Sequence, residues 1–100
     1  MTTTFAGFHQ WKQAPPEVAF LRTPHRHLFH VRAEWEVGHD DRDKEFFICK
    51  RRLDAEIAAT VGDATVEWSC ERWAVHLIDR LGLVKCEVSE DGENGAVVEV

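Results

Sequence analysis

The sequence predicts an α+β domain of order ββααββ, a four-stranded antiparallel sheet with two helices on one face. Three observations carry this. A long alternating segment runs from about His25 to Val37. Two segments then repeat apolar residues at helical spacing. A turn-forming Asp-Gly-Glu-Asn-Gly run, Asp91 to Gly95, separates two short strand-like ends. Each helix is apolar on one stripe only, so both must cover a sheet to bury it. The 100 residues make a single domain, residues 1–100.

The first strand covers roughly Thr3 to Trp11, with Phe5, Gly7, His9 and Trp11 on one side by the two-residue period. A loop follows, marked by Pro15-Pro16 and closed by Thr23-Pro24. In the second strand the odd positions are His25, His27, Phe29, Val31, Ala33, Trp35 and Val37, and the even ones are mostly polar. That is the pattern of a half-buried antiparallel strand. Gly38 to Asp43 turn the chain into the first helix, which Asp41 or Asp43 can cap. Phe46, Cys49, Leu53 and Ile57 form its stripe through about Thr60, and Gly62 ends it.

Ser69 is a good N-cap for the second helix, and Trp68 with Trp73 sits where a hydrophobic staple forms. Trp73, Ala74, Leu77, Ile78 and Leu81 make the buried stripe, and Gly82 supplies the stop. Leu83 to Ser89 reads as the third strand, with Val84, Cys86, Val88 and then Glu90 on one side. Ala96 to Val100 pairs back after the turn.

Composition narrows the function. The chain is 44% hydrophobic and 30% charged with a net charge of −6, and its only basic cluster is Lys50-Arg51-Arg52. Phosphate binding needs a positive footprint, so a nucleic-acid partner is not expected. No apolar run approaches ~20 residues, so no membrane span is expected. Cys49, Cys70 and Cys86 are odd in number and lack a C-x-x-C pair, which reads as reduced thiols in a cytoplasmic protein. Met1-Thr2-Thr3-Thr4 lacks the basic-then-apolar pattern of a signal peptide.

The histidines carry the chemistry. His25 and His27 on a strand share one side, about 7 Å apart along the chain. His9 has matching parity on the neighbouring strand. If the two strands pair, three imidazoles converge and leave a fourth position, the pattern of a zinc site. The same residues also fit a polar strand start facing solvent, with His9 an unrelated neighbour, and the pattern alone does not decide between them. His30 falls on the opposite face, His39 in an acidic turn, and His76 at the edge of the second helix stripe. Glu71 lies near that helix's start. Glu90 continues an apolar face, where a charge needs a partner.

Taken together, these segments resemble the 6-pyruvoyl-tetrahydropterin synthase family, which includes the 6-carboxytetrahydropterin synthases of queuosine biosynthesis. Phe5-Ala6-Gly7-Phe8-His9 looks like the family's first strand, and Pro24-His25-Arg26-His27-Leu28-Phe29 like its paired-histidine signature. Glu45 to Lys50 is similar to its first-helix start, Ser69-Cys70-Glu71 to its second-helix opening, and Val88-Ser89-Glu90 to its late strand. The resemblance covers about Phe5 to Val100. It implies a T-fold that assembles into a homo-oligomer, a trimer or hexamer. It further implies Zn2+ held by His9, His25 and His27, and Glu90 anchoring the ring of a pterin-like ligand. The implied activity is that of a lyase on a dihydroneopterin-type substrate. Leu21 stands where the family has its Cys, Arg26 replaces a Gly, and Val61-Gly62-Asp63-Ala64 has no His for the family's Asp-His pair. Glu71, His76 or His39 from a neighbouring subunit would have to replace that catalytic pair, with Glu71 and His76 the catalytic candidates. Three functions stay open: a zinc-dependent lyase, a module that binds zinc and a pterin or guanine-like ligand without turnover, and a structural self-assembling domain.

Overall fold

A computed structural model describes all residues, Met1–Val100. The main elements are β1 (Thr2–His9), β2 (His25–Glu34), α1 (Phe46–Thr60), α2 (Cys70–Leu81), β3 (Lys85–Glu90) and β4 (Asn94–Glu99). Short 3-10 turns lie at Pro16–Arg22 and Asp63–Thr65. The strands form one antiparallel sheet in the order β1-β2-β3-β4. The α+β architecture and the ββααββ order therefore stand. No helix is long and apolar enough to cross a membrane.

The alternation in β2 buries Phe29, Val31 and Ala33 and turns the even positions outward. Cys86 and Val88 of β3 join them, as do Leu53 and Ile57 of α1 and the stripe of α2, in one cluster. One cluster built from one strand parity and both helices means both helices cover the same face. Ser69 caps α2 as its sequence predicts, its hydroxyl accepting from Arg72 N at 3.1 Å. Trp68 and Trp73 form the staple, with ring centroids 5.0 Å apart. Gly82 ends the helix in the left-handed region at φ 69, donating to the Ile78 carbonyl.

Several boundaries differ from the sequence reading. β1 stops at His9 and not at Trp11, because Gln10 N turns to Val66 O and Trp11 N to Leu21 O. β2 stops at Glu34 and not at Val37, because its partners run out: Met1 N bonds to Ala33 O, and Val84 N to Glu34 O. The loop after β1 contains the Pro16–Arg22 turn, kinked at Val18. β3 begins at Lys85 because Gly82 N and Leu83 N are both spent on the Ile78 carbonyl. Asp91 and Gly92 form a tighter turn than expected, at φ 57 and 72, and β4 already starts at Asn94.

The start of α1 needs two corrections. Glu45, not Asp41 or Asp43, caps it, accepting from Ile48 N at 2.8 Å. Asp43 instead closes the preceding turn, accepting from Gly38 N at 2.7 Å. Phe46 does not join the buried stripe. It is 79% exposed, and burial in α1 begins only at Cys49. The three thiols are free and buried. Burial pushes the Cys86 thiol up to about 11, with Glu87 adding to the effect.

Candidate metal centre

Strand register builds the site. β1 and β2 pair so that His9 lies opposite His25 and Gly7 opposite His27. Residues facing across a ladder on one side of a sheet bring their side chains together. His9 Nδ1 sits 3.1 Å from His25 Nε2. The ring centroids are 5.1 Å apart for His9 and His25, 4.8 Å for His25 and His27, and 6.2 Å for His9 and His27. Gly7 keeps the floor low, since a Cβ there would meet the Phe29 ring at 3.3 Å.

The third strand adds a carboxylate. Glu90 pairs with Phe29 in the β2–β3 ladder, so it points to the same side as the histidines. Its Oε2 lies 2.7 Å from His27 Nε2 and 3.9 Å from His9 Nδ1. One donor atom from each of His9, His25, His27 and Glu90 lies within 4.8 Å of all the others. A group of this kind can hold a metal ion.

Bonds behind the rings assign the free nitrogens. His25 Nδ1 lies 2.9 Å from the Thr23 carbonyl oxygen, and His27 Nδ1 lies 2.7 Å from Asp91 Oδ2. Carbonyl and carboxylate oxygens only accept, so each Nδ1 carries the proton. In the neutral ring each Nε2 is then left with its lone pair. This is the usual device for orienting a ligating histidine. His9 is held neutral: burial lowers its pKa below the ordinary 6.5, and His25 and His27 add to this against the pull of Glu90 and Glu67. Metal binding requires that neutral form.

A cleft of about 430 Å³ opens beside the cluster, lined by His9, Trp11, Phe29, Cys70, Glu71 and Glu90 among others. Glu71 is thus brought to the site by the first turn of α2. His76 is not. Its Nε2 lies 3.0 Å from Glu56 Oε2 and 3.3 Å from Thr60 Oγ1, so α1 holds it between the helices. His39 Nε2 lies 3.4 Å from Asp43 Oδ1 in its turn, and His30 points outward beside Gly92. Cys70 is the one thiol in the cleft lining. Burial raises it to about 11, with Glu90 and Glu71 adding to the effect, so it stays protonated near neutral pH.

Asp91 is the residue that sequence reasoning missed. It reads as an ordinary turn residue, although its place directly after Glu90 puts two carboxylates at one strand end. No family model and no curated protein matches this chain.

Proposed function

We propose that this protein binds Zn2+ through His9, His25 and His27 and receives a pterin-type or guanine-like ligand in the adjoining cleft. The observation that carries the reading is the convergence of His9, His25, His27 and Glu90, with His9 and Glu90 also lining that cleft. Imidazole donors suit zinc and its transition-metal neighbours, whereas calcium and magnesium call for mostly oxygen ligands. Zinc so held supplies polarisation of a ligand hydroxyl or carbonyl.

The chain's own residues do the rest. Trp11 and Phe29 give the cleft apolar walls that suit a flat ring. The Glu90 carboxylate can accept two parallel hydrogen bonds from the N–H edge of a guanidine-like ring. Glu71, like Glu67, is a carboxylate of the cleft lining available to move a proton, and His76 is already engaged elsewhere. On this reading the domain is a T-fold that assembles into a trimer or hexamer in the cytoplasm. It acts on a dihydroneopterin-type substrate as a 6-pyruvoyl-tetrahydropterin or 6-carboxytetrahydropterin synthase-like lyase.

A second reading, binding without turnover, draws support from Cys70. The only thiol in the cleft is held protonated by burial, and Leu21 offers no replacement. Metal analysis of untagged protein tests the zinc reading, with one equivalent expected. Incubation with dihydroneopterin triphosphate and chromatography of the products separates the two readings. Zinc and pterin binding with no product refutes turnover, and absence of metal refutes both.

A further inference from the structure

The Glu90 carboxylate is held in a position that a ring anchor alone does not require. Its Oε2 stands only 2.7 Å from His27 Nε2, yet the two atoms make no hydrogen bond. His27 Nε2 is buried and without a hydrogen-bond partner. The ring cannot readily swing to relieve this, since Asp91 grips Nδ1 from behind at 2.7 Å. Glu90 pairs with no Lys or Arg; the only basic side chains within ion-pair distance are the imidazoles of His27 and His9.

A buried ring nitrogen left without a hydrogen-bond partner, 2.7 Å from a carboxylate oxygen and grouped with two further imidazoles, has the placement of a ligand that shares an ion with its neighbours. We propose that Glu90 is the fourth metal ligand, so that the resting ion is enclosed by His9, His25, His27 and Glu90 with no open position. This rests on the zinc reading above and goes beyond it. Bonds of about 2.0–2.1 Å to a tetrahedral ion space its donor atoms ~3.3 Å apart. The separations of 2.7, 3.1 and 3.9 Å among these donors bracket that spacing. The β2–β3 register makes the arrangement possible, placing Glu90 opposite Phe29, one side-chain position beyond His27 on the same face.

The consequence is functional. Closed four-ligand sites are characteristic of structural zinc, while catalytic sites keep a position open. A ligand that is to reach the ion here must displace Glu90. The carboxylate is then free for the ligand's N–H edge, so metal capping and ring anchoring are successive tasks of one side chain.

The test uses cobalt as a spectroscopic replacement for zinc and azide as a small ligand probe. Wild-type protein, Glu90→Ala, Glu90→Gln and Asp91→Asn are loaded with Co2+ and titrated with azide, and Zn2+ affinity is measured by chelator competition. Circular dichroism and a thermal melt show which variants fold; Glu90→Gln preserves side-chain size if the alanine variant does not. Azide should leave the wild-type visible spectrum unchanged at concentrations that saturate the Glu90 variants. The Glu90 variants should lose more Zn2+ affinity than the roughly 10–100-fold that losing an outer partner costs, the range expected for Asp91→Asn. Azide binding to wild type as readily as to the Glu90 variants overturns the proposal and leaves the three-histidine reading intact. Failure of wild-type protein to take up Co2+ or Zn2+ overturns both.

Discussion

Asp91 Oδ2 lies 2.7 Å from His27 Nδ1, while Oδ1 of the same carboxylate accepts from Leu28 N at 2.9 Å. The side chain thus ties the β3–β4 turn to β2 at the point where β2 presents the second histidine of the candidate site. The hydrogen bond from His27, followed by that from Leu28, lowers the Asp91 carboxyl below its ordinary pKa. The residue holds this pose at φ 57, a conformation that Asp and Asn tolerate better than most residues.

Asp91→Asn keeps that backbone preference but cannot accept both hydrogen bonds with charged oxygens. Zn2+ affinity should fall about 10–100-fold, the usual cost of losing a partner behind a ligating imidazole. Chelator competition measures this, and a thermal melt of the metal-free protein provides the control. A lower melting temperature with unchanged zinc affinity would show that Asp91 serves the turn and not the metal site.

Phe46 and Leu53 lie on the same helical stripe in sequence but in different surroundings. Leu53 is fully buried in the core, whereas Phe46 is 79% exposed. Leu53→Ala should cost about 2–5 kcal/mol of stability. Phe46→Ala should change it by no more than ~0.5 kcal/mol, as for an ordinary surface position. Urea denaturation of dilute protein distinguishes them. A comparable loss in both variants would mean that Phe46 is covered in solution.

Much of this fold was legible because its signals are local. Alternation identifies β2, and Ser69, Trp68, Trp73 and Gly82 mark both ends of α2 through contacts within a few residues. The start of α1 was less legible. Helical spacing says which side Phe46 occupies but not where the neighbouring layer ends. The candidate metal centre was half legible in the same way. Parity puts His9, His25, His27 and Glu90 on one face. A two-residue slip between β1 and β2 would preserve that parity and still part His9 from His25, and only the ladder fixes the pairing. His76 illustrates the limit: its partner Glu56 comes from the other helix, and no pattern within α2 names it.

Glu56 gives the fold a pH dependence. Burial would raise its pKa, but hydrogen bonds from Thr60 and His76, together with Arg80, outweigh this and hold it below the ordinary 4.5. A carboxyl depressed in the folded state stabilises above its unfolded value and loses that contribution as pH falls through the folded one. Wild type should therefore exceed Glu56→Gln in stability above about pH 4.5. The gap should narrow on acidification below that point. Denaturant midpoints across this range measure it, and a gap that stays constant would refute the assignment to Glu56 ionisation.

Gly95 links the hairpin to the candidate metal centre. It faces Ser89 in the β3–β4 ladder, next to the Glu90–Asn94 pair. A Cβ at position 95 would press on the Val88 carbonyl oxygen and lie 2.6 Å from Ser89 Cα. Both are backbone atoms of β3, so relief requires moving the strand. Gly95→Ala should therefore destabilise the protein by about 1–3 kcal/mol, the usual cost of inserting a methyl group where packing is already full. Because the displaced segment ends in Glu90, Zn2+ affinity should fall in the same variant even though residue 95 is not a donor. Gly62→Ala is the comparison, since a Cβ there meets nothing within 4 Å. Its effect on Zn2+ affinity should be nil. Calorimetry and chelator competition on the two variants read both effects. Unchanged zinc affinity in a destabilised Gly95→Ala protein would separate the hairpin from the metal centre and remove Glu90 from the ion's immediate surroundings.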